Sequence, residues 1–448
     1  MKFGGSSVGD AEMMERVAAI VDDALQRSPL VVLSAMGKTT NALFRCAEAA
    51  ASGDRRLALR ESRGVFERHR KVAATLLPQG LPAELDGVLT KRQAELELLL
   101  KGVALLRELT PRTMDAIASF GERLSTEIFT TYLVERGVSV SLLDAREVMR
   151  TDAHFGEARP QPAAIRERVQ ELLVPQLGPG RVVVTQGYIG ATENGVTTTL
   201  GRGGSDHSAS LFAAALEASE LQIWTDVEGV LTCDPSIVPD AIPIAELSFA
   251  EAAELAVFGA KVLHPATIQP AVEAGILVTV RKTRNPEGRF TSVRATVLRT
   301  KPVLALASRG GITVLTVSST RMLAQSGFLA RLFELFGRHD VSVDLIATAE
   351  VSVSLTVEAD VPLAPLLEEL HDFARVTVVE GRAIVAVVGE DLRNTPGISG
   401  RLFKSLADVN VEMISMGANE INLSMVVKES DAPRALRGLH AAIMEGAG

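Results

Sequence analysis

The chain has 448 residues, 47% of them hydrophobic, which is enough for two to three domains with sizeable cores. Its formal net charge of −9 argues against a nucleic-acid or anionic-membrane surface, and an aromatic content of 4% argues against stacking platforms for single strands. No apolar run is long enough to span a bilayer, no signal peptide opens the chain, and Cys46 and Cys233 build neither a disulfide framework nor a cysteine metal site, so a reducing, cytoplasmic setting is expected.

The chain opens on Lys2-Phe3-Gly4-Gly5-Ser6-Ser7-Val8-Gly9. Gly4 and Gly5 let backbone amides approach an anion closely, and Lys2 adds a point charge suited to phosphoryl oxygens. The lysine precedes the glycines, unlike the common P-loop. Ser6 and Ser7 are expected to cap a helix near Val8–Ala24. A flexible glycine turn at a chain start is the alternative, which these residues alone leave open.

Short apolar runs of the buried parallel-strand type follow at Leu30–Ala35, Val138–Leu143, Arg181–Thr185, Leu221–Thr225 and Ile276–Arg281, with helical patterns such as Ala94–Glu108 and Ser125–Arg136 between them. The alternation predicts an α/β domain over residues 1–290, a mostly parallel sheet covered by helices. Ser52–Thr110 is long, charged and helical in pattern, a helical excursion or a lid over the sheet edge.

Within this region, Gly121-Glu122 places a carboxylate at the start of a helix. On the residues alone, Glu122 reads first as a complement to the helix dipole and second as a partner for a substrate ammonium. Thr197–Ala209 holds Gly201, Arg202, Gly203, Gly204, Ser205 and Asp206 between a strand and an alanine-rich helix, Ser208–Leu216. The glycines permit a tight loop against a ligand, and Arg202 grips a carboxylate or phosphate with two prongs. Asp206 is either a helix cap or a group that orients a lysine or Mg²⁺. Asp226 lies at the C-terminal end of a strand, where open α/β sheets bind ligands. Lys261 offers a second phosphate-facing cation, although a lone lysine is more often a solvated charge. His264 has no partner at metal-ligand spacing, so no protein metal site is expected, and no Ser-His-Asp or Cys-His pattern supports covalent hydrolysis.

After residue 288 the texture becomes strand, helix, strand, strand, helix on a smaller scale. Gly327–Phe333 aligns without gaps on Gly397–Phe403, and at the same offset of 70 residues Val341 meets Val411, Glu350 meets Glu420 and Ser354 meets Ser424. Two copies of a βαββ unit are expected.

Together KFGGSSV (2–8), SFGE (119–122), TTTLGRGGSD (197–206), WTDVEGV (224–230) and FGAKVLHP (258–265) resemble the aspartate kinases of the amino-acid kinase superfamily, in order and spacing, over nearly the whole chain. The resemblance implies an αβα sandwich kinase domain (1–290) followed by two ferredoxin-like (βαββαβ) ACT domains, at 300–380 and 381–446, the latter sharing strands with the segment near 300–310. It implies phosphorylation of the β-carboxylate of L-aspartate by ATP, with Mg²⁺ held mainly by nucleotide phosphates and water. Lys2, Gly4 and Gly5 would stabilise the transferring phosphoryl group, with Asp206 organising them. Glu122 would bind the substrate ammonium and Arg202 a substrate carboxylate, with Ser6, Ser34, Thr40, Gly203 and Ser205 in the substrate set. Thr225, Asp226, Leu231 and Lys261 would contact nucleotide alongside Lys2 and Gly5.

Three departures stand out. Many members read GVYT(A/T)DPR where this chain has Gly229-Val230-Leu231-Thr232-Cys233-Asp234-Pro235-Ser236, a variant shared with the plant-like monofunctional branch. Ser6 replaces the commoner threonine. Only Met1 precedes Lys2, so the lysine is expected to fray, and a natural start a few residues upstream or a trimmed chain is expected.

The C-terminal half resembles the lysine-sensitive class more than the threonine-sensitive, dehydrogenase-fused one, and the chain ends at Gly448 without a dinucleotide-binding segment. The effector set implied is Met322, Gly327, Phe328, Leu329, Ser342, Val343, Asp344, Thr348 and Glu350, with amides near Gly327–Leu329 for a carboxylate and Asp344 for a cationic amino group. Ala349 stands where some relatives have serine. A homodimer through the ACT domains is expected, with L-lysine as inhibitor. Other amino-acid kinases of acidic substrates, and a non-catalytic amino-acid sensor, are the rival readings.

Overall fold

The computed structural model of the chain describes residues 1–77, 79–259, 263–297, 302–319, 322, 326–417 and 419–445. It divides into two compact units, one of Met1–Val230, Ala245–Phe249 and His264–Thr296, the other of Leu231–Ile244, Ala250–Leu263 and Val297–Gly448.

The first unit is built on ten strands: β1 (Lys2–Phe3), β2 (Leu30–Leu33), β3 (Ser139–Leu143), β4 (Arg181–Gln186), β5 (Ile189–Ala191), β6 (Thr197–Thr199), β7 (Glu220–Thr225), β8 (Glu246–Ser248), β9 (Leu277–Lys282) and β10 (Thr291–Arg294). Eight of them form one sheet in the order β3-β4-β2-β1-β7-β9-β10-β8, parallel except between β9 and β10, while β5 and β6 make a separate hairpin. The apolar run LVVL of β2 is wholly buried, as a strand covered on both faces requires.

The two-residue β1 lies inside this sheet. Lys2 is in register with Val32 on one side and Ile223 on the other, and Phe3 with Leu33 and Trp224. The Met1 amino group donates to the Leu30 carbonyl at 2.8 Å, and the Phe3 ring stacks on Trp224 at 5.8 Å. The expected fraying of Lys2 is therefore corrected. Hydrogen bonds on both edges and a fully buried neighbour hold a strand that length alone would not.

The first helix spans Ala11–Asp23 and is capped by Asp10, whose carboxylate accepts from the Met13 amide at 2.9 Å. This corrects the assignment of the cap to Ser6 and Ser7. Ser7 is buried, with its hydroxyl 2.7 Å from that of Thr283. The charged segment after residue 52 forms two helices, Arg55–Leu76 and Ala83–Leu106. Their apolar stripes, including Phe66, Leu89, Leu96 and Leu100, join Met14, Leu43 and Phe129 in one core, so the segment is part of the domain body rather than a lid.

The second unit holds a six-stranded antiparallel sheet of β11 (Val303–Ser318), β12 (Ile346–Thr348), β13 (Ser352–Glu358), β14 (Arg375–Gly389), β15 (Val411–Met416) and β16 (Asn422–Lys428), in the order β12-β13-β11-β14-β16-β15. Irregular register near Gly310 and Gly311 divides β11. Its first part, 303–309, pairs with 384–389 of β14, and its second part, 312–318, pairs with β13 and, over 314–318, with 375–379 of β14. One long sheet thus serves two modules. Leu315, Leu332, Phe336, Leu355 and Leu366 form one core, and Val385, Leu402, Met425 and Leu436 another. The 70-residue offset superposes β13 on β16 residue for residue. It also matches Gly327 (φ 93°) with Gly397 (φ 79°), each at the N-cap of a helix in a left-handed conformation that glycine adopts without strain. Among the described residues no helix is long and apolar enough to cross a membrane.

Candidate functional site

A cleft of about 720 Å³ opens in the first unit at the C-terminal ends of β1 and β2. Such ends collect ligand-binding loops in open α/β sheets. Its lining brings together Lys2, Gly5, Ser34, Thr40, Glu122, Arg202, Gly203, Ser205 and Asp206, which are scattered over 205 positions of sequence.

Lys2 Nζ lies 2.8 Å from Asp206 Oδ1, with both side chains largely buried. Asp206 sits in the first turn of the helix Gly204–Leu216, whose N-cap is Gly203 at φ 69°, so it pairs with the lysine and does not cap the helix. Gly5 must be glycine: a Cβ there would stand 2.8 Å from the Ala35 carbonyl oxygen and 3.1 Å from that of Gly37. The Gly4 amide donates to the Trp224 carbonyl at 3.2 Å, which leaves the Gly5 amide as the better placed donor of the two.

Glu122 is 3% exposed in the first turn of the helix Phe120–Glu135. Its Oε1 accepts from the Ala35 amide at 3.1 Å, while Oε2 is buried without a partner. Burial pushes this carboxyl up to about 8, and the Ala35 hydrogen bond opposes that only in part. A carboxylate complementing a helix dipole at the surface would not look like this. A buried acceptor on a cleft wall is suited to a cationic ligand group. Arg202 is exposed and has no ion-pair partner among the described residues.

Tyr188 and residues 156–157 also line the cleft, and sequence reasoning missed both. Tyr188 holds φ 68°, a left-handed conformation costly for a bulky residue, of the kind found at functional sites. Its place between Gly187 and a strand was the only local hint.

Other expected residues lie elsewhere. Ser6 is exposed and outside the cleft lining. Thr225 ends β7 and Asp226 follows it, with the threonine hydroxyl donating to Asp226 at 3.1 Å. Leu231 belongs to the second unit, bridged to Pro243. Lys261 lies outside the described residues.

The second unit has its own cavity of about 510 Å³, lined by Met322, Gly327, Phe328, Leu329, Ala330, Thr348, Ala349 and Glu350. The amides that open the helix Phe328–Arg338 border it. Ser342, Val343 and Asp344 do not line it. Asp344 instead pairs with Arg309 of β11 at 2.5 Å, and Val343 packs against the adjacent core.

Comparison with known proteins matches segments in both halves of the chain. The pattern of the Amino acid kinase family matches residues 1–282, and that of an ACT domain matches residues 385–443. The chain is 42% identical to the lysine-sensitive aspartokinase 3 of Escherichia coli, over 99% of this chain and 98% of that one. It is 40% identical to the chloroplastic aspartokinase 1 of Arabidopsis thaliana, over 99% of this chain and 80% of that one. Crystal structures of E. coli aspartokinase III superpose with a TM-score of 0.83 at 40% identity, covering 99% of this chain. One, a T-state complex with lysine and aspartate, is covered to 98% of its length. The other, an R-state complex with aspartate and ADP, is covered to 99%.

Proposed function

The chain belongs to the aspartokinase family and phosphorylates L-aspartate with ATP, and we propose that the cleft of its first unit is where the phosphoryl group moves. The observation that carries this reading is the presence, in one cleft, of the Lys2–Asp206 pair and the unpartnered oxygen of buried Glu122.

Glu122 takes the ammonium of aspartate, and its proton is displaced as the cation docks. Arg202 takes a carboxylate in a two-pronged contact. The β-carboxylate is thereby directed at the γ-phosphorus of ATP. A new O–P bond forms as the bond to the β,γ-bridging oxygen breaks, and ADP leaves with the electron pair. No nucleophile from the protein is required, so catalysis is positioning and charge stabilisation. Lys2 meets the charge that builds on the transferring group, held in place by Asp206, and the Gly5 amide adds a donor. Ser34, Thr40, Gly203 and Ser205 shape the aspartate side of the cleft. Thr225 and Asp226, at the end of β7, serve the nucleotide. Mg²⁺ bound mainly through nucleotide phosphates and water would neutralise charge there.

The cavity of the second unit is the effector site. Its helix-opening amides suit the carboxylate of L-lysine, and Glu350 suits the side-chain ammonium. The enzyme acts in the cytoplasm as a homodimer joined through its ACT modules. ADP release in the presence of ATP, Mg²⁺ and L-aspartate, with and without L-lysine, tests the reading. Turnover that requires aspartate and falls with lysine supports it. Absence of aspartate-dependent turnover overturns it, and sensitivity to threonine alone overturns the effector assignment.

A further inference from the structure

Asp115 is 2% exposed in the helix Pro111–Ala118, seven residues before Glu122, and does not line the cleft. Its carboxylate gathers three donors from two distant segments. Oδ2 accepts from the amides of Gly156 and Thr199, each at 3.0 Å, and Oδ1 accepts from the Thr199 hydroxyl at 2.7 Å. The Ala158 amide donates to the Thr199 carbonyl at 2.9 Å, so both segments are tied to each other as well as to Asp115.

These two segments carry the wall that faces Glu122. Thr199 ends β6 and is followed by Leu200, Gly201 and Arg202. Gly201 stands at φ 72° directly on residues 156 and 157: a Cβ there would lie 2.9 Å from Glu157 Cγ and 3.3 Å from the Gly156 carbonyl oxygen. The turn that presents Arg202 therefore rests on a loop whose backbone Asp115 holds. On the other side, the helix containing Asp115 runs through Ser119 into the helix bearing Glu122. Gly121 there fits against Ala35 so closely that a Cβ would come within 2.7 Å of the Ala35 methyl. One rigid segment thus fixes Glu122 directly and reaches across to fix the turn that carries Arg202.

We propose that Asp115 is a positioning residue that sets the span between Glu122 and Arg202, and so the fit of the cleft to a four-carbon amino diacid. This rests on the reading that Glu122 and Arg202 hold the amino-acid substrate. Misplacing one arm of such a clamp by an ångström costs up to about 10²-fold. Three backbone and side-chain donors lose their acceptor when the carboxylate is removed, whereas an amide of the same shape still accepts from two of them.

The test is steady-state kinetics on Asp115→Ala, Asp115→Asn, Arg202→Ala and the double variant Asp115→Ala/Arg202→Ala. Asp115→Ala should raise the KM for aspartate about tenfold or more and change the KM for ATP by less than about twofold. Asp115→Asn should return the aspartate KM to within about threefold of the parent. In the Arg202→Ala background, Asp115→Ala should add little, because its effect passes through Arg202. An unchanged aspartate KM in Asp115→Ala overturns the proposal, as does a parallel rise in both KM values, or full additivity with Arg202→Ala. If Arg202→Ala itself leaves the aspartate KM untouched, it is the clamp reading that fails. Should Asp115→Ala not fold, Thr199→Val removes the hydroxyl alone, with its contacts to Asp115 at 2.7 Å and to the Gly156 carbonyl at 3.3 Å, and leaves both backbone donors to Asp115 in place. It should raise the aspartate KM about threefold with the ATP KM unchanged, and no change in either overturns the proposal.

Discussion

Lys2 and Asp206 meet at 2.8 Å across the floor of the cleft, one from the central strand of the sheet and one from the first turn of a helix. Each side chain is oriented by the other, and each backbone is fixed by its element. The pair is largely buried, so removing one partner leaves the other charge uncompensated. Asp206→Asn should therefore lower kcat by about 10²-fold, because Lys2 loses its anchor while keeping its charge. Single-turnover phosphoryl transfer measures this. A kcat within threefold of the parent would show that Asp206 does not organise Lys2.

Glu122 gives the cleft a pH signature. Its ordinary value near 4.5 is raised to about 8 in the folded chain by burial. Near neutral pH the free enzyme holds this carboxyl protonated, and an ammonium ligand should expel the proton. Aspartate binding at pH 7 should release close to one proton, read by calorimetry in buffers of different ionisation enthalpy. The KM for aspartate should fall as pH rises through about 8. Proton release that survives in Glu122→Gln would exclude this residue as the source.

The same shift makes a stability prediction. A folded-state value raised above the unfolded one contributes stability that is full below about 4.5 and lost as pH rises through about 8. Glu122→Gln removes the ionisation, so its melting temperature should exceed the parent's at pH 9 by more than at pH 5, at about 2–4 °C per kcal/mol recovered. Its KM for aspartate should rise about 10²-fold, the usual scale for losing one partner of a buried charge pair. Greater stability combined with lost affinity is what a group kept for binding should show. A Glu122→Gln protein with normal aspartate affinity would contradict the assignment.

Gly5→Ala should be severe for a steric reason. The added methyl would meet the Ala35 carbonyl oxygen at 2.8 Å, so the phosphate loop or the 34–37 loop must shift. Overpacking of this kind costs about 1–3 kcal/mol in stability, and a cleft displaced by the same shift should lose at least about tenfold in kcat. Urea denaturation and turnover measured together check this. A Gly5→Ala enzyme with unchanged activity would mean that the close approach is not used.

The effector cavity makes a separate prediction. Glu350 lines it, whereas Asp344 is paired with Arg309. Glu350→Gln should raise the lysine concentration for half-inhibition about tenfold, with kcat in the absence of lysine held within about twofold. Asp344→Asn releases Arg309 and should alter inhibition only if the Asp344–Arg309 pair breaks when lysine binds. Inhibition curves of the two variants separate these roles.

Much of this architecture was legible in the sequence, because its signals are local. The LVVL run of β2, the glycine-bounded helix of residues 204–216 and the 70-residue echo of Gly327 in Gly397 are short-range patterns with one structural outcome each. Lys2, Glu122 and Arg202 drew notice because each lies within two residues of a glycine that a ligand loop needs. What stayed hidden depends on contacts between distant segments. Asp115 has no glycine beside it, and nothing in its helix announces Gly156 and Thr199 as partners. The anchoring of β1 arises from Leu30 and Trp224, remote in sequence, so the two residues looked weaker than they are. The attachment of residues 303–309 to 384–389 was expected only through the family resemblance; its physical basis, the long β11 divided between modules by a bulge at paired glycines, had no local signal.

The most direct measurement of the central claim is the kinetic behaviour of Lys2→Met. A lysine that meets charge developing on the transferring phosphoryl group acts in the transition state, so kcat should fall about 10²–10³-fold, with the KM values for ATP and aspartate within a few-fold of the parent. Near-normal kcat with a large rise in the KM for ATP alone would contradict the account: Lys2 would then be a ground-state anchor for nucleotide, and the phosphoryl-transfer charge would be met elsewhere.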